Sequence, residues 1–274
     1  MSYETIQVER NEGVATISLD RPSKLNALNT TLCREIIDAV DLLSRADEIK
    51  VLIFAGSGER AFSAGADLRE FAGRTAMEQR EVMFGRRIYD VVWECPKPTI
   101  AAVRGYCLGG GAEVALSCDL RVADRSAQFG QPEIRLGIIP GGGGTQRLTR
   151  LVGSGQAMRL SLTGDMVDAE EAYRIGLVDF LVDEGRCLEK ARDVADRIGR
   201  WSSNSLRLVK ESIRAALENS LSVGLEKERE LFLTALVSKD GREGVRAFIR
   251  VQDDASPPNP DLPHGPEGGS DTDD

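Results

Sequence analysis

The stretch that most narrows the choice of fold runs from residue 99 to residue 119. It begins with a short apolar run, Thr99-Ile100-Ala101-Ala102-Val103, whose lack of polar alternation fits a strand covered on both faces. Glycines follow at Gly105 and at Gly109-Gly110-Gly111, and Ala112-Glu113-Val114-Ala115-Leu116 opens a helical pattern directly behind them. Glycine at a helix start lets another molecule approach the backbone, where the first amide hydrogens lack intrahelical partners. Such a turn is suited to an oxygen that is gaining negative charge. Glu113 follows Gly110 by three residues and so rises from the same helix face. A second acid, Glu133, arrives in a Gln131-Pro132-Glu133 turn ahead of another glycine run at 141–144. Amide donors with two acids point to acid–base chemistry beside a polarised carbonyl. Taken singly, an acid in a first helical turn is an ordinary dipole partner, and a glycine cluster is an ordinary turn. The rest of the chain decides whether they belong together.

Residues 3–10 and 13–20 read as two strands joined by a hairpin turn at Asn11-Glu12-Gly13. A loop at 21–28 leads to a helix starting near Asn29 or Thr30, with Leu32, Ile36, Ile37, Val40 and Leu43 at helical spacing. Val51-Leu52-Ile53-Phe54-Ala55 is a second covered strand. The segment 61–69 is again built of small residues that bring backbone within reach of a ligand, and Asp67 is placed to cap the short helix beyond it. Helical sequence resumes over 77–93, short strands are expected at 120–123 and 127–129, and helices at 145–151, 155–162 and 169–175. After a strand at 177–182, long helices run from 185 to about 250. This order implies an α/β core with helices packed outside it. We expect residues 1–199 to form the core carrying the site, 200–251 a helical portion, and 252–274 a disordered acidic tail rich in Pro and Gly.

Composition matters here chiefly for what it excludes. The net charge is −9, but seven acids lie in the tail without a single Lys or Arg, leaving −2 for the remainder. That balance argues against nucleic acid as a partner. No uninterrupted apolar stretch is long enough to span a membrane, and the N-terminus has neither a secretory nor a transit pattern, so a cytoplasmic location is expected. The five cysteines are dispersed and never form CxxC, which indicates neither a disulfide framework nor a metal site. The one histidine, His264, falls in the tail, which removes Ser-His-Asp and Cys-His nucleophile systems from consideration. The sequence also lacks a G-x-x-x-x-G-K-[ST] phosphate loop, a dinucleotide fingerprint around Gly105–Gly109 and a G-x-S-x-G elbow at Ser63.

What remains is a combination of Ala64-Gly65-Ala66-Asp67-Leu68, the run 105–119, Phe129-Gly130-Gln131-Pro132-Glu133, and the glycine run leading to Leu148. In this order the segments resemble the crotonase superfamily over roughly residues 3–250, and most closely its enoyl-CoA hydratases. The resemblance implies a crotonase-like coiled ββα spiral core with a helical C-terminal oligomerisation portion, forming trimers or hexamers. It implies that Ala66 and Gly110 donate backbone N–H groups to the thioester oxygen of an acyl-CoA, and that Glu113 and Glu133 are the two catalytic acids. It implies that Lys24, Leu25 and Ala27 meet the CoA nucleotide, with Ala64, Asp67, Leu68 and Arg69 also lining the CoA or substrate path. The implied reaction is reversible hydration of 2-enoyl-CoA thioesters in fatty-acid or related acyl-CoA breakdown, with no metal and no cofactor, CoA being part of the substrate. Other readings on the same scaffold are a 3,2-enoyl-CoA isomerase, a methylglutaconyl-CoA-type hydratase, or a non-catalytic acyl-CoA-binding homologue. The chain departs from the family where a basic C-terminal segment often follows an Ala-Phe pair: here Ala247-Phe248-Ile249-Arg250 leads into Val251-Gln252-Asp253-Asp254.

Overall fold

The computed structural model describes residues 3–255. The expected hairpin forms from β1 (Ile6–Asn11) and β2 (Val14–Leu19), and helix α1 (Thr30–Arg45) follows, capped by the Asn29 side chain, which accepts from the Leu32 amide at 2.9 Å. β3 (Val51–Gly56) and the three-residue β4 (Ala61–Ser63) precede α2 (Leu68–Ala72), α3 (Ala76–Phe84) and α4 (Ile88–Glu94). The single helix expected over 77–93 is thus two, broken at Gly85-Arg86-Arg87. The centre of the chain is β5 (Thr99–Val103), β6 (Tyr106–Leu108), α5 (Gly110–Ser117), β7 (Leu120–Asp124) and β8 (Gln128–Gly130). Then come α6 (Gly144–Thr163), kinked at Gly153, β9 (Met166–Asp168), α7 (Ala169–Arg174), β10 (Phe180–Val182), α8 (Cys187–Gly199), α9 (Ser203–Glu218), α10 (Leu221–Val237) and α11 (Lys239–Ala255).

From β3 to β8, successive strands alternate between two sheets. One has the order β1-β2-β3-β5-β7-β10 and the other β4-β6-β8-β9. β2, β3, β5, β7 and β10 run parallel, as do β4, β6 and β8. Each turn of the chain therefore adds one strand to each sheet, which produces the expected ββα spiral.

Both faces of the larger sheet are covered. Leu52 and Phe54 join the main core with α1, while Ile53, Ala55, Ile100 and Val122 pack against Cys187, Ala191, Val194 and Ala195 of α8. This accounts for the unbroken apolar runs in β3 and β5. One expectation fails in an informative way: α5 does not pack outside the core but is buried along all eight residues. Its small, mostly apolar side chains leave no polar face, and a helix of that kind belongs in an interior.

The portion after residue 200 is tied to the core at its near end. Lys210 of α9 donates to the Lys97 carbonyl at 2.7 Å and pairs with Asp119, which Arg214 also reaches at 3.1 Å. Beyond that anchor α10 buries Leu231, whereas Leu221, Phe232, Leu233 and Leu236 of α10 and Phe248 and Ile249 of α11 stay exposed. The tail expected to be disordered from residue 252 is still helical through Ala255; the remainder of that tail, with His264, lies outside the described residues. No helix among the described residues is long and apolar enough to cross a membrane.

Candidate active site

Each glycine of the 109–111 triplet answers a different constraint. Gly109 has φ +49° and ψ −123°, a conformation that side chains oppose, and a Cβ there would stand 2.9 Å from Glu133 Oε1. A Cβ on Gly110 would stand 3.4 Å from the Ala66 nitrogen, and one on Gly111 would meet the Ser63 carbonyl oxygen at 2.3 Å. The triplet therefore lets α5 start hard against the segment 63–66, bringing the Ala66 and Gly110 amides to one place.

Neither of those N–H groups is used internally among the described residues. Ala66 forms an isolated parallel bridge with Leu28. Its two bonds run from Leu28 N–H to Gly65 O (2.8 Å) and from Asp67 N–H to Leu28 O (2.9 Å), passing Ala66's own N–H by. The preceding amide, Gly109 N–H, is held by the Gly130 carbonyl at 3.0 Å, while Gly110 N–H belongs to the unpaired first turn of α5. Two adjacent donors thus face the cleft without partners, as an oxyanion site requires.

Glu113, only 3% exposed, also rises from α5. Its Oε1 accepts from Gly142 N–H at 2.6 Å and Gly144 N–H at 2.8 Å. The opposite side of that glycine loop is clamped by arginines: Arg87 donates to the Gly141 carbonyl at 2.6 Å and Arg147 to the Gly142 carbonyl at 2.7 Å. Fixing the Gly141 carbonyl outward turns the Gly142 amide of the same peptide inward onto Glu113. Oε2 accepts no hydrogen bond among the described residues and is left for an incoming donor. Glu133 sits in a 3-10 turn at Pro132–Leu136 rather than a simple bend. The buried Gln131 amide, with its nitrogen turned toward Glu133, donates to Oε1 at 3.1 Å and Oε2 at 3.2 Å.

The two acids feel different surroundings. Burial pushes the Glu133 carboxyl up to about 7, its own backbone N–H opposes the shift, and the Glu113 charge adds to it. Burial also raises Glu113, but the Gly144 and Gly142 amides, then Arg147 and Arg87, pull it back toward the ionised form. Of two neighbouring acids, the one without cations is the one that keeps a shared proton.

The expected nucleotide loop is strained. Leu25 (φ +50°) and Asn26 (φ +54°) are both left-handed, at an ordinary cost of about 1–3 kcal/mol each. The fully buried Asn26 side chain holds them there, donating to Ser57 O (3.0 Å) and Ala61 O (2.9 Å) and accepting from Arg21 N–H (2.9 Å). Leu25 O accepts from Ala64 N–H at 2.9 Å, and Ala27 O accepts from the Arg21 guanidinium. Asp67 does occupy the N-cap position of α2, but its side chain makes no cap; it pairs instead with Arg21 at 3.1 Å. Arg21 thereby links the loop to the segment bearing Ala66. Lys24, Leu68 and Arg69 are exposed at the rim, and neither cation has an ion pair among the described residues.

Sequence reasoning gave Arg21, Arg87 and Arg147 no role, and it named Gln131 only as part of a motif. It noticed the 141–144 run but gave it no task. The helical region 77–93 contributes Tyr89 to the cleft, whereas Trp93 meets the Arg147 and Arg214 guanidinium groups, 5.3 and 4.5 Å from its ring centre.

Comparison with known proteins gives the family. Residues 9–254 match the model of the Enoyl-CoA hydratase/isomerase family. A probable enoyl-CoA hydratase of Mycobacterium bovis is 45% identical over 249 residues, covering 91% of this chain and 96% of that protein. A crotonyl-CoA hydratase of Syntrophomonas wolfei is 40% identical over 250 residues, with the same coverage of both chains. The crystal structure of an enoyl-CoA hydratase from Bacillus anthracis superimposes with a TM-score of 0.85 at 38% identity, covering 90% of this chain and 97% of that one.

Proposed function

This chain belongs to the enoyl-CoA hydratase/isomerase family, and we propose that it adds water reversibly across the 2,3 double bond of 2-enoyl-CoA thioesters. The observation that carries the assignment of roles is the unequal setting of Glu113 and Glu133 around two unused amides. Glu113, favoured as a carboxylate by Gly142, Gly144, Arg147 and Arg87, accepts a proton at Oε2 from water attacking C3. Electron density moves onto the thioester oxygen, where Ala66 and Gly110 stabilise it; losing one such donor ordinarily costs about 3–4 kcal/mol. Glu133, which holds its proton near neutral pH, delivers it to C2. One proton enters the pair and one leaves it in each turnover, and dehydration reverses both transfers.

Hydration of this kind needs no resident cofactor, because CoA arrives with the substrate. The nucleotide lies along Lys24, Leu25 and Ala27, where the Leu25 and Ala27 carbonyls keep a second lone pair for adenine. Ala64 and Leu68 line the pantetheine path, Asp67 holds Arg21 in place, and Arg69 at the rim meets CoA phosphate. An isomerase on this scaffold needs only one base, so two acids with different proton affinities favour hydration. The exposed apolar residues of α10 and α11 support self-association into a trimer or hexamer, and the protein works in the cytoplasm. The direct test is product analysis after incubating the purified protein with crotonyl-CoA and, separately, with a 3-enoyl-CoA. Loss of the conjugated double bond with formation of 3-hydroxybutyryl-CoA is expected; conversion of only a 3-enoyl thioester into its 2-enoyl isomer would overturn the reading.

A further inference from the structure

Tyr89 of α4 stands at the centre of the cleft, yet nothing above gives its hydroxyl a task. Its ring packs against Gly142 so closely that a Cβ on that glycine would be 2.5 Å from Cε2 and Cζ. The same point lies 2.6 Å from Glu113 Oε2. At the other end of the ring, Oη is 2.9 Å from where a Cβ on Gly110 would sit, the point that is also 3.4 Å from the Ala66 nitrogen and 3.2 Å from Leu28 Cδ1. The space opened by glycine at 110 is therefore walled by the Ala66 amide, the Gly110 amide, the Tyr89 hydroxyl and a leucine methyl. The hydroxyl makes no hydrogen bond among the described residues; the Glu113 carboxylate lies nearby across the Gly142 position, and the Arg87 guanidinium stacks 5.7 Å from the ring centre. A half-buried phenol with no protein partner, aimed at a hole lined by two unused amides, has its partner in the ligand.

We propose that the Tyr89 hydroxyl is a third hydrogen-bond donor to the thioester oxygen, completing the oxyanion site formed by Ala66 and Gly110. Burial holds the phenol's pKa well above its ordinary value, and the Glu113 charge pushes it further in the same direction, so it keeps its proton throughout. It therefore donates a hydrogen bond that strengthens as the carbonyl oxygen takes on enolate character, and it transfers no proton. A phenylalanine would fill the same space against Gly142 without the donor. This assignment makes Tyr89 a catalytic residue and rests on the hydratase reading.

Tyr89→Phe in the full chain separates the donor from the ring. With crotonyl-CoA, kcat is expected to fall by about a hundredfold, at the low end of what one lost oxyanion donor costs, with KM little changed. The second readout needs no turnover. A bound aryl-enoyl-CoA absorbs at longer wavelength as its carbonyl is polarised, and Y89F is expected to lose a measurable part of that shift. Unchanged kcat with an unchanged shift would overturn the proposal. So would an unchanged shift with altered acyl-length preference, which would make Tyr89 only a wall of the acyl pocket. Should Y89F fail to fold, a structure of the unaltered protein with a saturated acyl-CoA decides: Oη is expected roughly 2.7 Å from the thioester oxygen, and a separation beyond roughly 3.5 Å would overturn it. A protein that shows the shift but hydrates nothing would count against the hydratase reading and leave the Tyr89 contact standing.

Discussion

At the residue scale the site depends on where one proton resides. Glu133 is pushed up to about 7 and Glu113 is raised less freely, because backbone amides and arginines favour its charge. Two acids this close titrate as a pair, and the hydrating form is the singly protonated one. The kcat/KM profile for crotonyl-CoA should therefore be bell-shaped, with an alkaline limb near pH 7 set by loss of the pair's remaining proton, held chiefly at Glu133. An activity that keeps rising through this limb would reassign the proton. The same shift bears on stability. Between the ordinary glutamate value of about 4.3 and the folded value, the native state binds more protons than the unfolded chain, so the stability contributed by this group falls as pH rises. Glu133→Gln removes that loss: its melting temperature should exceed that of the unaltered protein at about pH 8, and by clearly less at about pH 5. A gain of equal size at both would show that packing rather than ionisation governs the difference.

At the element scale, the start of α5 and the 141–144 loop act as one unit. Gly111 permits α5 to approach β4, since any Cβ would meet Ser63 O at 2.3 Å. Gly111→Ala should cost about 1–3 kcal/mol in chemical denaturation and lower hydration as well, because relieving the clash moves the Gly110 amide away from Ala66. A stable variant with full activity would show that the close approach is dispensable. Much of this unit was legible in the sequence: the apolar run of β5, the glycine triplet, and the two acids in order. Other parts were not. The three-residue strands β4, β6, β8 and β9 are too short to display a period, so the alternation between two sheets had to come from resemblance rather than from pattern. The complete burial of α5 was concealed by its brevity; the Arg87 contact to Gly141 spans a sequence separation that no local spacing encodes, and the nearer Arg147 contact to Gly142 follows no periodic pattern.

At the scale of the whole molecule, the spiral gathers into one cleft backbone from residues 65–66, 109–110 and 142–144 and side chains from 89, 113, 131 and 133. It also leaves Phe232, Leu233, Leu236, Phe248 and Ile249 facing outward on α10 and α11. Exposed apolar surface of that kind is what the proposed self-association would cover. The protein should elute as a trimer or larger, and the double variant Phe232→Asp, Leu236→Asp should shift to smaller species; a monomeric unaltered protein would remove oligomerisation from the account. The central claim, that two glutamates of unequal proton affinity serve one thioester, is tested most directly by comparing crotonyl-CoA turnover in Glu113→Gln and Glu133→Gln while acyl-CoA binding is measured on the same samples. Each variant should lose hydration by about 10²-fold or more with binding retained. Turnover equal to that of the unaltered protein in either variant would contradict the claim.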